Sequence, residues 1–133
     1  MVVVSRLSDW FSVSLDGLRC SAVTKSYVIG TFSRFDLTHD MSRESVVMTY
    51  AFAMTSGDFY SFQRVGDWAL WVGSFHPTHA HHEVIETMGR LSYHRCNSML
   101  RNQWKVYEEL ADKLPTIVDN IHDELSRFKC INA

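Results

Sequence analysis

Glycine and proline are scarce: six glycines and two prolines in 133 residues, about half of the usual ~12%, so turns are few and the elements between them long. Cysteine is sparse too. Cys20, Cys96 and Cys130 are odd in number, widely spaced and form no Cys-x-x-Cys pair, which excludes an encoded disulfide framework or cysteine zinc site and suits a reducing compartment. Neither sign of charge dominates. With 13 basic and 15 acidic side chains and a net charge of −2, the overall electrostatics give no reason to expect a phosphate backbone or an anionic membrane as partner. No apolar run approaches the ~18 residues that would span a bilayer, and the opening MVVVSRLSDWF has neither the charged lead nor the apolar stretch of a secretory signal. These absences lead to the expectation of a cytoplasmic protein without membrane association.

What is present is apolar, 46% of residues with 13% aromatic, and a chain near this length hides roughly two-thirds of its unfolded surface on folding. Periodicity then places helices. Ile117, Val118, Ile121, Leu125 and Phe128 fall within about 100° of arc at 100° per residue, with Asp119, Asn120, Asp123, Glu124 and Arg127 elsewhere. The segment 102–114 sets Trp104, Tyr107, Ala111 and Leu114 against Lys105, Glu108 and Asp112, and the intervening Pro115 predicts either a helical hairpin or one helix with a kink. Over residues 82–100, Val84, Ile85, Met88, Leu91, Cys96 and Met99 share one broad face. Cys96 reads there as inert packing. Arg95 falls inside the same face, where its charge is costly unless it snorkels out or meets a carboxylate.

The segment DFYSFQRVGDWALWVGSF, residues 58–75, is apolar around nearly its whole circumference, which places it in the middle of the domain. Gly66, Ala69 and Gly73 lie along one edge of it. Each glycine costs about 1 kcal/mol in a helix interior, but such a strip lets another helix approach closely. Residues 44–55 and 22–35 are further helix candidates, the former also compatible with a strand, and Leu7, Trp10 and Phe11 suggest a short first helix. No Asn-Gly or Asp-Gly joins two apolar alternations. The expectation is a single all-α domain over residues 1–133, a compact bundle of five to seven helices around a central buried helix.

Two clusters bear chemistry. HPTHAHHE places His76, His79, His81 and His82 ahead of Glu83 and Glu86, residue types that hold zinc, nickel or copper, with His79 and Glu83, or His82 and Glu86, paired at i, i+4. The same residues also fit a solvated loop in which Pro77 ends one helix and Thr78 caps the next. Asp67, in the otherwise apolar central segment, calls for a partner. Arg64 is the local candidate, Arg95 a distant one and Tyr93 a further member of such a polar pocket, with structural pairing the more frequent outcome and a perturbed acid the alternative. Gly-x-Ser-x-Gly, a Walker loop and Gly-x-Gly-x-x-Gly after a strand are all missing. Arg90, Arg101, Lys105 and His94 can share a surface, but Glu83, Glu86 and Glu108 are interspersed, so nucleic acid is not an expected partner.

Gly66, Asp67, Leu70, Gly73, Phe75 and Pro77, followed by Gly89, Ser92 and Tyr93, resemble a group of bacterial all-helical proteins without an assigned activity, over about residues 60–128. The resemblance implies an all-helical bacterial protein in which the Gly-Asp and Gly-x-x-Ser-Tyr elements are neighbours. The functional expectation is a non-enzymatic interaction or regulatory module that binds a protein partner or itself through aromatic and methionine side chains left at the surface. The alternative is a transition-metal-binding protein using the histidine cluster.

Overall fold

The computed structural model describes residues 20–38, 43–75 and 82–132, with side chains described over 20–32, 46–74 and 83–124. Among the described residues five helices follow one another: α1 (Ala22–Thr38), α2 (Arg43–Ser56), α3 (Phe59–Phe75), α4 (His82–Met99) and α5 (Lys105–Asn132). No strand occurs among the described residues. The stretch from Val46 to Phe52, which also suited a strand, is helical, and the short helix expected around Leu7–Phe11 lies outside the described residues.

Local chemistry sets the helix ends. Ser21 caps α1, its Oγ accepting the Thr24 amide at 3.3 Å. The Glu109 carboxylate of α5 takes the Ser21 amide at 2.9 Å and the Thr24 hydroxyl at 3.1 Å, an anion placed at the positive end of α1. Burial would raise the Glu109 carboxyl, but the hydrogen bonds from Ser21 and Thr24 outweigh it and hold the group below its ordinary 4.5. At the end of α2, Gly57 adopts φ of +70° and its N–H bonds the Ala53 carbonyl at 2.7 Å, a left-handed cap that suits a residue without Cβ. Asp58 then caps α3, accepting from the Ser61 amide at 3.0 Å and the Ser61 hydroxyl at 2.7 Å. After α4, Arg101 and Asn102 are both left-handed, and their amides bond the carbonyls of Ser98 and Asn97, each at 3.0 Å.

The helix α3 packs against each of the other four and most extensively against α4. Its small residues explain the close fit. A Cβ added at Gly66 would sit 2.5 Å from the Tyr93 ring and one at Gly73 2.9 Å from Val118, while one at Gly89 of α4 would overlap the Ala69 methyl. This approach sets the inward face of α4. Ile85, Gly89, Ser92, Tyr93, Cys96 and Asn97 are buried, whereas Val84, Leu91 and Met99 are exposed. The face that meets α3 most tightly thus sets Gly89 and Ser92 beside the larger Ile85 and Tyr93, and it is rotated from the apolar stripe read in the sequence.

Pro115 lies inside α5, which continues through it as one helix. A proline has no N–H, so the carbonyl four residues earlier loses its intrahelical donor. That carbonyl belongs to Ala111, and Arg90 of α4 supplies the replacement, Nε donating to it at 3.0 Å. An unmade bond at a buried carbonyl would cost about 1–3 kcal/mol. The break before Pro115 is therefore repaired by a neighbouring helix instead of becoming a hairpin loop.

The close approach of α3 and α4 predicts opposite outcomes at two glycines. Gly89→Ala should destabilise by about 1–3 kcal/mol through overpacking. Gly30→Ala, with nothing within 4 Å of the added Cβ, should stabilise by about 0.5–1 kcal/mol. Urea unfolding midpoints compare the two, and an unchanged midpoint for Gly89→Ala would show that the helices part without cost.

Candidate functional site

The polar centre of the bundle is Asp67, on α3 and only 5% exposed. Its Oδ1 accepts two phenol hydroxyls, from Tyr27 of α1 at 2.6 Å and from Tyr93 of α4 at 2.7 Å. One turn earlier on α3, Gln63 donates its Nε2 hydrogen to the Tyr107 hydroxyl of α5 at 2.8 Å. The three tyrosine rings pack together, Tyr27 standing edge-on to Tyr93 at 6.3 Å and to Tyr107 at 5.6 Å, with Tyr93 and Tyr107 tilted at 6.0 Å. Four helices contribute to this one cluster. Gly66 and Asp67 act on Tyr93 together, the glycine leaving room for its ring and the carboxylate receiving its hydroxyl.

The electrostatics follow from burial beside a carboxylate. Tyr93 is fully buried, and its hydroxyl is raised well above the usual value near 10, first by desolvation and then by the Asp67 charge. Tyr27 is raised in the same way by burial and then Asp67, and Tyr107 chiefly by burial. All three phenols are held in their protonated form, and those of Tyr27 and Tyr93 donate to Asp67. The Cys96 thiol nearby is pushed up to about 12, by burial first and the Asp67 charge second. Its Sγ lies 3.9 Å from the Phe59 carbonyl, so it is protonated and packed at neutral pH and a poor nucleophile.

The residues singled out in the sequence divide. Asp67 and Tyr93 meet directly. Arg64 and Arg95 are both exposed, and Arg95 turns outward along the bundle with its guanidinium carbon 6.0 Å from the centroid of the Phe62 ring, a cation over an aromatic face. His76, His79 and His81 lie outside the described residues, as does the side chain of His82, while Glu83 is exposed and Glu86 half-buried. Among the described residues no group of three or more histidine, cysteine or acidic side chains is placed to hold a metal ion. Tyr27, Gln63 and Tyr107 were not anticipated. The i, i+4 spacing of Gln63 and Asp67 marks one polar stripe on α3, but nothing local indicates which tyrosines reach it.

A second feature lies on the surface. On α2, Val46 and Ala53 are fully buried, whereas Met48 is 72%, Phe52 58%, Met54 48% and Val47 47% exposed. At 100° per residue, Met54, Val47, Ala51, Met48 and Phe52 cover about 160° of the helix, interrupted only by Thr55, and no charged residue occurs between Val46 and Gly57. No family model, curated protein or solved structure matches the chain.

Tyr93→Phe should cost about 1–3 kcal/mol, because it removes one of the donors that stabilise the buried Asp67 carboxylate. The folded state keeps Tyr27, Tyr93 and Tyr107 protonated where the unfolded chain ionises near 10. Stability should therefore be unaffected by these groups below that pH and fall as pH rises above it. Urea titrations from pH 8 upward (about 8 to 11) read both effects: the wild type should lose stability more steeply than Tyr93→Phe, and parallel curves would remove Tyr93 from the linkage.

Proposed function

We propose that the chain is a non-enzymatic interaction module, a helical bundle organised around α3, that associates with a second copy of itself through the outer face of α2. The observation that carries this reading is the arc of Met54, Val47, Ala51, Met48 and Phe52, apolar and exposed in its large members. A helix that buries one face needs its apolar residues there, yet α2 carries more of them outward than inward. Contiguous exposed apolar surface of this kind marks contact sites.

A second copy is the occupant that the chemistry favours. The face has no charge from Val46 to Gly57, so it offers nothing to select a charged partner, and a two-fold pairing would set uncharged surface against its equivalent without repulsion. A 14-residue helix is about 21 Å long. Alone it covers less than the ~800 Å² per partner of a standard interface, which makes the expected dimer weak and concentration-dependent. The polar cluster at Asp67 supports the non-enzymatic side of the reading, since its carboxylate and the Tyr93 hydroxyl are engaged with each other inside the core.

Sedimentation velocity of the full chain over a concentration series, up to about 1 mM, tests the proposal. A reversible monomer–dimer equilibrium is expected, abolished by Met48→Glu with Phe52→Glu at an unchanged melting temperature and retained by Val84→Glu, which alters an exposed apolar residue on α4. A strict monomer throughout, or a dimer that survives the α2 double variant, would overturn it.

A further inference from the structure

We propose that the groove between α4 and α5 binds a small zwitterion, a free α-amino acid with an apolar side chain. The groove has a volume of about 330 Å³ and is lined by Thr87, Arg90, Leu91 and His94 of α4 and by Ala111 and Asp112 of α5. That volume lies at the small end of the ~300–1,000 Å³ typical of ligand sites. Pro115 is the origin of its chemistry. By freeing the Ala111 carbonyl, the proline captures Arg90 Nε at 3.0 Å and fixes the guanidinium against α5.

Among the described residues, the remaining guanidinium nitrogens of Arg90 have no hydrogen-bond partner, and neither does the exposed Asp112 carboxylate. Both groups line the groove, yet no ion pair closes between them. A molecule carrying an anion and a cation on one carbon satisfies both at once. Its carboxylate takes the outer edge of Arg90, the geometry in which a guanidinium binds two oxygens. His94, one turn further along α4 on the Arg90 side, adds a second donor. The ammonium group takes Asp112, and the side chain lies against Leu91, which is 49% exposed.

The same pair of charges rejects simpler ligands. A bare carboxylate or phosphate would meet Arg90 but lie beside the Asp112 anion, and a bare amine would meet Asp112 but lie beside Arg90. Opposed charges lining one small groove therefore discriminate by repulsion as well as attraction. This site is independent of the outer face of α2, and its occupancy does not depend on self-association.

Backbone amide NMR titration of the full chain with L-leucine, up to about 10 mM, tests the assignment. Saturable shifts are expected at Thr87, Leu91, His94 and Asp112. The carboxylate without the amine, 4-methylpentanoate, and the amine without the carboxylate, 3-methylbutylamine, should each bind about tenfold or more weakly, since each lacks one charge-assisted hydrogen bond. Asp112→Asn should reduce L-leucine affinity to that of 4-methylpentanoate while leaving the melting temperature unchanged. Absence of saturable shifts, equal binding of the bare carboxylate, or unchanged affinity in Asp112→Asn would overturn the proposal.

Discussion

A carboxylate inside an apolar bundle constrains everything packed around it. Asp67 sits 5% exposed in α3, where an uncompensated charge would cost several kcal/mol. Two tyrosine hydroxyls arrive at the same oxygen from helices on different sides. Neither α1 nor α4 can slide along α3 by a residue without withdrawing its donor, and α5 is drawn into the cluster through Tyr107 and Gln63. Apolar contacts are tolerant of small displacements, but hydrogen bonds to a buried anion are not. The cluster therefore sets the register in which the less specific core from Val28 to Ile121 packs.

The same logic recurs wherever the backbone would be left unsatisfied. The first turn of α1 is held by Glu109 from α5, and the carbonyl orphaned by Pro115 is held by Arg90 from α4. In each case a charged side chain from one helix repairs the end or interior of another. Such repairs tie helices together by directional bonds in a fold that has few loops to do so. They also place charge where it has a further consequence, since the arginine that mends α5 becomes one wall of a groove.

The close contact of α3 with α4 and the bare outer face of α2 are related aspects of packing. The strongest association within the bundle is made by Gly66, Ala69 and Gly89, which bring backbones together and leave the larger Val84 and Leu91 of α4 outside. On α2 the inward positions include the small Ala53, with the bulky Met48 and Phe52 turned out. Burial in this molecule follows shape as much as hydrophobicity. Residues of high hydrophobicity consequently remain at the surface, and those on α2 form the face through which self-association is proposed.

Much of the architecture was legible in the residues because it is local. Periodicity places α1 to α4 at nearly their observed bounds, and the small-residue edge of α3 marks where another helix comes close, whereas the boundary read at Pro115 is absent from α5. The all-helical class follows from those features alone. What the tertiary structure decided is everything that depends on a partner distant in sequence. Arg64 and Arg95 were as plausible beside Asp67 as any tyrosine, and the choice fell to Tyr27 and Tyr93, whose rings fill core space while their hydroxyls reach the carboxylate. Pro115 permitted a hairpin or a kinked helix, and the outcome turned on whether a donor from elsewhere could take the Ala111 carbonyl. Helical periodicity is a property of neighbouring residues and is written in their order. The satisfaction of a buried charge or an orphaned carbonyl is a property of space, and only the folded chain determines it.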